Sequence, residues 1–532
     1  MRRNLKCLAI LPLTLLLTAS GHAAPGDGLR LVEAVRQGDK DAVRSLLKLH
    51  VNVNTPQGDG ATALFWAAYR DDLETADLLI RAGAKANLAN DLGVTPLALA
   101  CSNGSAVMVD RLLKAGAQPT SSELLKCAQA GNPDAVKSLL ARGADPNAKE
   151  PRAGQTTLMW AVAARHPEVA RLLIERGADV NARSKSGFTP LMFAVQQGDL
   201  DSIRILLGAG ANLNDADQDG ETPLLVASAS GNEPAAILLL DKGADAKVTD
   251  NDGLTALHYS LMRGLVLFSR IRVPKYPSYL TRPNMLELMK ALLVHGADPN
   301  ARVKRWSDKL ITVTGGDPYP GSVSVVSATP FLMAAISYDA EAMRILVAGG
   351  ANPLLKTEVP SGVVFGKDGF IDPAVKAKLV AAGVIHPAEV GPWNVTALMV
   401  AAGVTRWRTA GVTLTEELET RALEAVKLCI ELGIDVNAAD TLGLTALHGA
   451  AFNGSNRIIQ YLVEKGANLN AKDISGQTPL DKAMNIKPPG QERGAAWHRS
   501  LIPLGIAPKS TAELLIKLGA TPSKLADVAQ AK

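Results

Sequence analysis

Residues 186–214 read SGFTPLMFAVQQGDLDSIRILLGAGANLN, and residues 219–247 read DGETPLLVASASGNEPAAILLLDKGADAK. The two stretches share their punctuation. Thr189 and Thr222 stand before a proline, where a hydroxyl can accept a backbone N–H of a first helical turn and proline fits the first helical position. Nine residues after each threonine, Gly198 and Gly231 end an apolar run. Twelve further on, Gly210 and Gly243 end a second one, because glycine takes up the left-handed conformation at low cost. The same first landmark recurs at Gly38, Asp71, Gly104, Gly131, Arg165, Gly198, Gly231 and Gly264, at intervals of 33, 33, 27, 34, 33, 33 and 33. The second recurs at Gly83, Gly116, Gly143, Gly177, Gly210 and Gly243. Two series locked at one offset mark an internal repeat of two short helices and a turn. In the second helix Val169, Leu172 and Leu173 lie on one face. A single unit cannot bury that face, so the units must stack.

The pattern resembles the ankyrin repeat. Thr189-Pro190-Leu191, Thr222-Pro223-Leu224 and Thr255-Ala256-Leu257-His258 match its opening. Gly177-Ala178-Asp179-Val180-Asn181 and Gly433-Ile434-Asp435-Val436-Asn437 match its close. About 12 units run from Gly28 to Ala520, implying an all-α ankyrin-repeat solenoid of helix-turn-helix units with β-turn fingers. The unit beginning SSELLKCAQAG at Ser121 has lost its finger, which accounts for the interval of 27. A notch is expected there.

The chain has 532 residues, 47% apolar and only 4% aromatic, with 56 Lys+Arg against 52 Asp+Glu. Such near neutrality does not suit a nucleic-acid binder. No apolar run reaches the ~18 residues of a membrane span. Arg2, Arg3 and Lys6 precede a Leu-rich stretch from Cys7 to Ala19, and Gly21-His22-Ala23 offers small residues for cleavage. Residues 1–23 therefore read as a signal peptide, with the mature protein in the periplasm or secreted. Three cysteines remain, Cys101, Cys127 and Cys429. Each falls on an apolar helical position, so buried thiols are expected, with a Cys101–Cys127 disulfide as the alternative.

Residues 24–264 form the regular part. From 265 to 520 the repeats are interrupted at about 265–284, 303–325, 356–389, 406–421 and 488–507, and 521–532 is a tail. The interrupted half carries four of the six tryptophans at or beside these insertions, Trp306, Trp393, Trp407 and Trp497. Residues 263–309 hold ten basic and three acidic residues. The inserts either pack on the array or form a binding surface, and an anionic ligand at 263–309 is one expectation.

Catalytic and metal motifs are missing from the sequence. There is no His-Glu-x-x-His, Cys-x-x-Cys or Gly-x-Ser-x-Gly spacing. Gly362–Asp368 is one residue short of a phosphate loop and lacks its hydroxyl residue. His258 and His448 sit where the family's histidine bonds within its own turn. The expected function is therefore a non-enzymatic protein–protein interaction scaffold without a cofactor. A secreted effector, an accessory factor for an exported enzyme, and a cryptic pocket of Arg282, Trp306, Trp393, Trp407 and His498 are the rivals. The resemblance places partner contacts ahead of the first-helix turn and on the fingers. Ahead of the turn these are Tyr69, Arg70, Ser102, Asn103, Gln196, Gln197, Ala229, Ser230, Met262, Arg263, Phe452 and Asn453. On the fingers they are Asp59, Asp91, Leu92, Lys185, Phe188, Gln218, Asp219, Glu221, Asn251 and Asp252. Tyr276, Trp306 and Trp407 join them as anchors on the insertions.

Overall fold

A computed structural model describes residues 26–266, 285–305, 327–358, 373–381, 393–404, 416–484, 508–521 and 523. Among the described residues there are 25 helices and no strand longer than an isolated bridge. The chain is all-α, as the repeat predicts. It divides into two compact units, with the division between Lys185 and Ser186.

In the first unit the leading helices of the repeats are Asp27–Gln37, Ala63–Tyr69, Pro96–Ser102, Ser121–Ala130 and Thr157–Ala163. Each packs on the next. Their partners Lys40–Lys48, Leu73–Arg81, Ala106–Lys114, Pro133–Ala141 and Pro167–Glu175 form a second layer in the same order. In the second unit the leading layer runs Pro190–Gln197, Pro223–Ser230, Ala256–Val266, Pro330–Ile336, Ala397–Ala401, Ala446–Asn453 and Pro479–Ala483. The following layer runs Leu200–Gly208, Glu233–Asp241, Leu286–Val294, Ala340–Ala348, Glu416–Glu431, Asn456–Glu464 and Pro508–Lys517. A further helix, Pro373–Ala381, lies within the 356–389 interruption.

The local chemistry is that of the repeat motif. The Thr62, Thr95, Thr329 and Thr396 side chains each accept the N–H three residues on. Asp39, Asp72, Ser105, Asn132 and Asp339 do the same for the second helices. Ala67, Ala68, Ala100, Ala161, Ala194 and Ala227 are fully buried, and their small side chains let leading helices approach closely. The turn between the helices takes a left-handed residue at Gly38, Gly104, Gly131, Gly198 and Gly231. It also does so at Asp71, Arg165 and Tyr338, where φ is 53°, 63° and 53°. Those three hold a conformation that L-residues adopt only at a cost of about 1 kcal/mol or more.

Cys101 and Cys127 correct the expectation of buried thiols. They form a disulfide between adjacent leading helices, with Cα atoms 4.3 Å apart. The reason is their register. Both sit on the inward face, in the layer where neighbouring repeats carry alanine, so small side chains bring two sulfurs together. Cys429 is a buried thiol, and burial pushes its pKa up.

Among the described residues no helix is long and apolar enough to cross a membrane.

Candidate functional site

Within each unit, three sets of inter-repeat bonds build a face made by the fingers and leading helices. The first joins fingers. The N–H of Asp91 donates to the Asp59 carbonyl at 2.9 Å, and that of Lys185 to Ala153 at 2.8 Å. In the second unit Asn251 donates to Asp219, Lys304 to Asp252 and Ile474 to Leu442, at 3.0, 2.9 and 3.0 Å. Gly220 shows why the finger needs glycine. Its φ is +77°, and a Cβ there would lie 3.0 Å from the Asn251 nitrogen.

The second set uses the asparagine that closes the motif. Asn54 donates to the Gly83 carbonyl and accepts the Lys85 N–H. Asn147 bridges Gly177 and Asp179, Asn300 bridges Gly350 and Asn352, and Asn437 bridges Gly466 and Asn468 in the same way.

The third set caps the leading helices from the next repeat. Arg70 donates to the Arg36 carbonyl, and Asn103 to those of Ala68 and Tyr69. Asn453 is 3% exposed and donates to the Gly403 carbonyl at 3.1 Å. These residues were expected at a partner surface from their distance to the turn. Their polar atoms instead satisfy carbonyls that a helix end leaves open.

The remaining sequence-derived positions differ in what they offer. Tyr69 is 57% exposed and rests edge-on against Trp66. Gln196, Gln197 and Asp219 are exposed. Lys185 is exposed, with its ammonium on the Pro151 carbonyl at 2.7 Å. Phe188 is half-buried, edge-on to Phe193. Glu221 accepts from the Tyr259 hydroxyl at 3.3 Å, and Asp252 pairs with Arg305 at 2.7 Å. Phe452 is half-buried. Tyr276, Trp306, Trp407 and the side chain of Arg263 lie outside the described residues, as do Arg282, His498 and Gly362–Asp368. Trp393, the remaining member of the rival pocket, is 1% exposed. Among the described cations of residues 263–309, Arg302 pairs with Glu358 at 3.0 Å, Lys290 with Glu287 at 2.7 Å, and Arg305 with Asp252.

In three repeats an acid or amide at the finger base meets the residue nine positions on, Gln57 meeting Trp66 at 3.2 Å. The Tyr259 hydroxyl donates to Asp250 at 2.7 Å, and the Lys482 ammonium to Asp473 at 2.7 Å. Burial opposes the Asp473 carboxylate, but Lys482 and its hydrogen bonds outweigh it and hold its pKa below the ordinary value. At Asp440 the ninth residue is Gly449, which offers no side chain. Asp440 Oδ2 is buried with no hydrogen-bond partner, and burial pushes the pKa up to about 7. This buried acid was not anticipated, although the same spacing could have found it.

His258 and His448 are buried, and each accepts a backbone N–H within its own turn. His258 Nδ1 accepts the Thr255 N–H at 3.1 Å, so Nε2 carries the proton and faces the Ala328 carbonyl at 3.4 Å. Burial lowers its pKa from 6.5 to about 4. Below pH 6.5 the unfolded chain takes up a proton that the folded ring refuses. The stability from a neutral His258 is therefore complete above pH 6.5 and is lost as pH falls through 4. Relative to the parent chain, His258→Gln is expected to lose about 2 kcal/mol less stability between pH 7 and pH 4.5. Denaturant unfolding at pH 7 and pH 4.5 measures it, and parallel losses in both proteins would refute it.

Comparison with known proteins accords with this architecture. A family model described as ankyrin repeats (3 copies) matches residues 31–123, 124–217, 209–268 and 418–488, more than half of the chain. The E3 ubiquitin-protein ligase KEG of Arabidopsis thaliana is 33% identical over 150 residues, 26% of this chain and 9% of the ligase. The putative ankyrin repeat protein L271 of Acanthamoeba polyphaga mimivirus is 44% identical over 59 residues, 11% of this chain and 8% of its own. The matched stretches are thus about a tenth of these relatives' lengths. A crystal structure of the human ASB11 ankyrin repeat domain matches with 30% identity and a TM-score of 0.37, over 39% of this chain and 96% of that domain.

Proposed function

Because the chain belongs to the ankyrin-repeat family, we propose that it is a non-enzymatic protein–protein interaction scaffold of about 12 repeats, exported to the periplasm, that grips a partner on its fingers and leading helices. Repeats of this family generally mediate protein–protein interaction. The observation that carries the reading is how side chains divide along the face. Arg70, Asn103 and Asn453 are spent on the neighbouring repeat, whereas Tyr69 in the first unit and Gln196, Gln197 and Asp219 in the second stand exposed. An aromatic and amides of this kind suit a protein surface. Export is supported by residues 1–23 and by the Cys101–Cys127 disulfide, since disulfides persist in oxidising compartments. The ligase similarity covers 9% of the ligase and transfers no activity.

The test is capture by the mature chain from periplasmic extract, with partners identified by mass spectrometry. Tyr69→Ala with Gln197→Ala and Asp219→Arg is expected to weaken capture at least tenfold with thermal unfolding unchanged. Undiminished capture by that variant, or recovery of the protein only from the cytoplasm, would overturn the reading.

A further inference from the structure

Among the described residues the finger ladder is broken after the finger at 90–94, and the residues there are specific about what belongs in the gap. A regular rung runs from the residue after a finger base to the carbonyl two residues after the preceding base. Asp91 to Asp59, Asn251 to Asp219 and Ile474 to Leu442 follow this rule. After the finger at 90–94 the series stops, because the repeat with the Ser121–Ala130 helix has none. Leu92 is the counterpart of Asp59. Its carbonyl accepts no hydrogen bond among the described residues, and its side chain, at 86% exposed, is the most exposed of the large apolar side chains there.

The repeat without a finger carries a charge at the position that elsewhere serves the finger base. Counting back five residues from the turn gives Trp66, Tyr259 and, in the finger-less repeat, Lys126. Trp66 Nε1 donates to Gln57 at 3.2 Å, and the Tyr259 hydroxyl to Asp250, so in these repeats a polar side chain at this position reaches the base of its own finger. Lys482, four residues after its Thr cap as Tyr259 is, pairs there with Asp473 at 2.7 Å. Lys126 has no finger to reach and no ion pair or hydrogen bond among the described residues.

Neighbouring acids do not answer it. Glu123 is buried and accepts from the Thr95 hydroxyl and the Thr120 N–H, at 2.8 and 3.0 Å. Glu150 accepts the N–H groups of Arg152 and Gln155, at 2.6 and 3.2 Å. The Asp91 carboxylate lies against Gly60 on the preceding finger. On the far side of the gap the donor position is Pro151, which has no N–H to give, so that finger is built without a predecessor.

We propose that this gap is a vacant finger socket that takes an acidic β-turn supplied by a partner protein. The turn donates a backbone N–H to the Leu92 carbonyl, places a carboxylate on Lys126 and covers Leu92. Lys482 on Asp473 is the same chemistry made within the chain. The inference rests on the reading that the finger face binds protein, and it names what one part of that face selects.

The probe is a fluorescein-labelled peptide of residues 212–224, NLNDADQDGETPL, which carries the Asp217 turn. Saturable binding to the mature chain is expected at a Kd near or below ~1 mM, by anisotropy. Lys126→Glu, a partly exposed substitution, is expected to weaken it at least tenfold, and so is Asp217→Asn in the peptide. A second variant keeps the test independent of that site's folding. Inserting DADQDG between Pro119 and Thr120 restores the interval of 33 and is expected to raise Tm and abolish peptide binding. Equal binding by parent and Lys126→Glu, or a folded insertion variant that still binds, would overturn the socket. So would self-association that depends on Lys126 while the peptide is ignored, since a second copy would then be the occupant. Capture that is lost in the Tyr69, Gln197 and Asp219 variant but intact in Lys126→Glu leaves the scaffold reading standing and removes only the socket.

Discussion

Trp393→Ala is expected to destabilise the chain by about 3–5 kcal/mol, the range for removing a fully buried large aromatic side chain. Trp393 is 1% exposed, although it follows directly on an interruption of the repeat. Its main chain forms one finger rung twice over. The Trp393 N–H donates to the Thr441 hydroxyl at 3.0 Å, and the Thr441 N–H donates to the Trp393 carbonyl at 3.0 Å. Alanine keeps both bonds, so the loss isolates the packing of the ring. Because repeats stabilise one another through nearest neighbours, the effect should be local. Hydrogen exchange is expected to accelerate in Ala397–Ala401 and Ala446–Asn453 while Ala63–Tyr69 stays protected. A loss under about 1 kcal/mol, or uniform acceleration along the chain, would show that the ring does not hold these repeats together.

Removing the Cys101–Cys127 bridge is the second large effect. The bridge closes a loop of 26 residues, which in the chain-entropy account corresponds to about 3 kcal/mol. It sits where other links are missing. The finger ladder stops after residues 90–94, and Thr120 stands where the stapling asparagine of other repeats would be. Cys101→Ala with Cys127→Ala is therefore expected to open the junction between Pro96–Ser102 and Ser121–Ala130, with proteolysis appearing near residues 116–120. Cys429→Ala serves as the comparison, because it deletes one buried sulfur and closes no loop. Equal denaturant midpoints for oxidised and reduced parent chain would refute the bridge's role.

Much of the fold was legible because the repeat writes its rules locally. A hydroxyl before a proline, a residue able to turn left-handed, and apolar spacing act within a few residues. Thr189, Gly198 and Gly210 could thus be assigned from the residues beside them. The same economy explains Arg165 and Tyr338. A strong repeat holds them in a left-handed turn that neither residue prefers.

The candidate face was less legible. Distance from the turn could not distinguish Tyr69, which looks outward, from Asn103 and Asn453, which bind carbonyls of the preceding repeat. Lys126 and Asp440 show the same limit. Each stands at a position defined by the repeat, and its meaning depends on whether a finger or a side chain is present opposite.

By itself, then, the sequence determined the all-helical repeat, its period, its caps and the repeat that has no finger. Each follows from the conformational preferences of residues close together in the chain. Only the tertiary structure decided that Cys101 and Cys127 join, that Asn453 is buried and that Asp440 lies buried without a partner for its outer oxygen. Those outcomes depend on atoms brought together from different repeats, and on burial, which changes the energy of a thiol, an amide or a carboxylate only once the neighbours are in place.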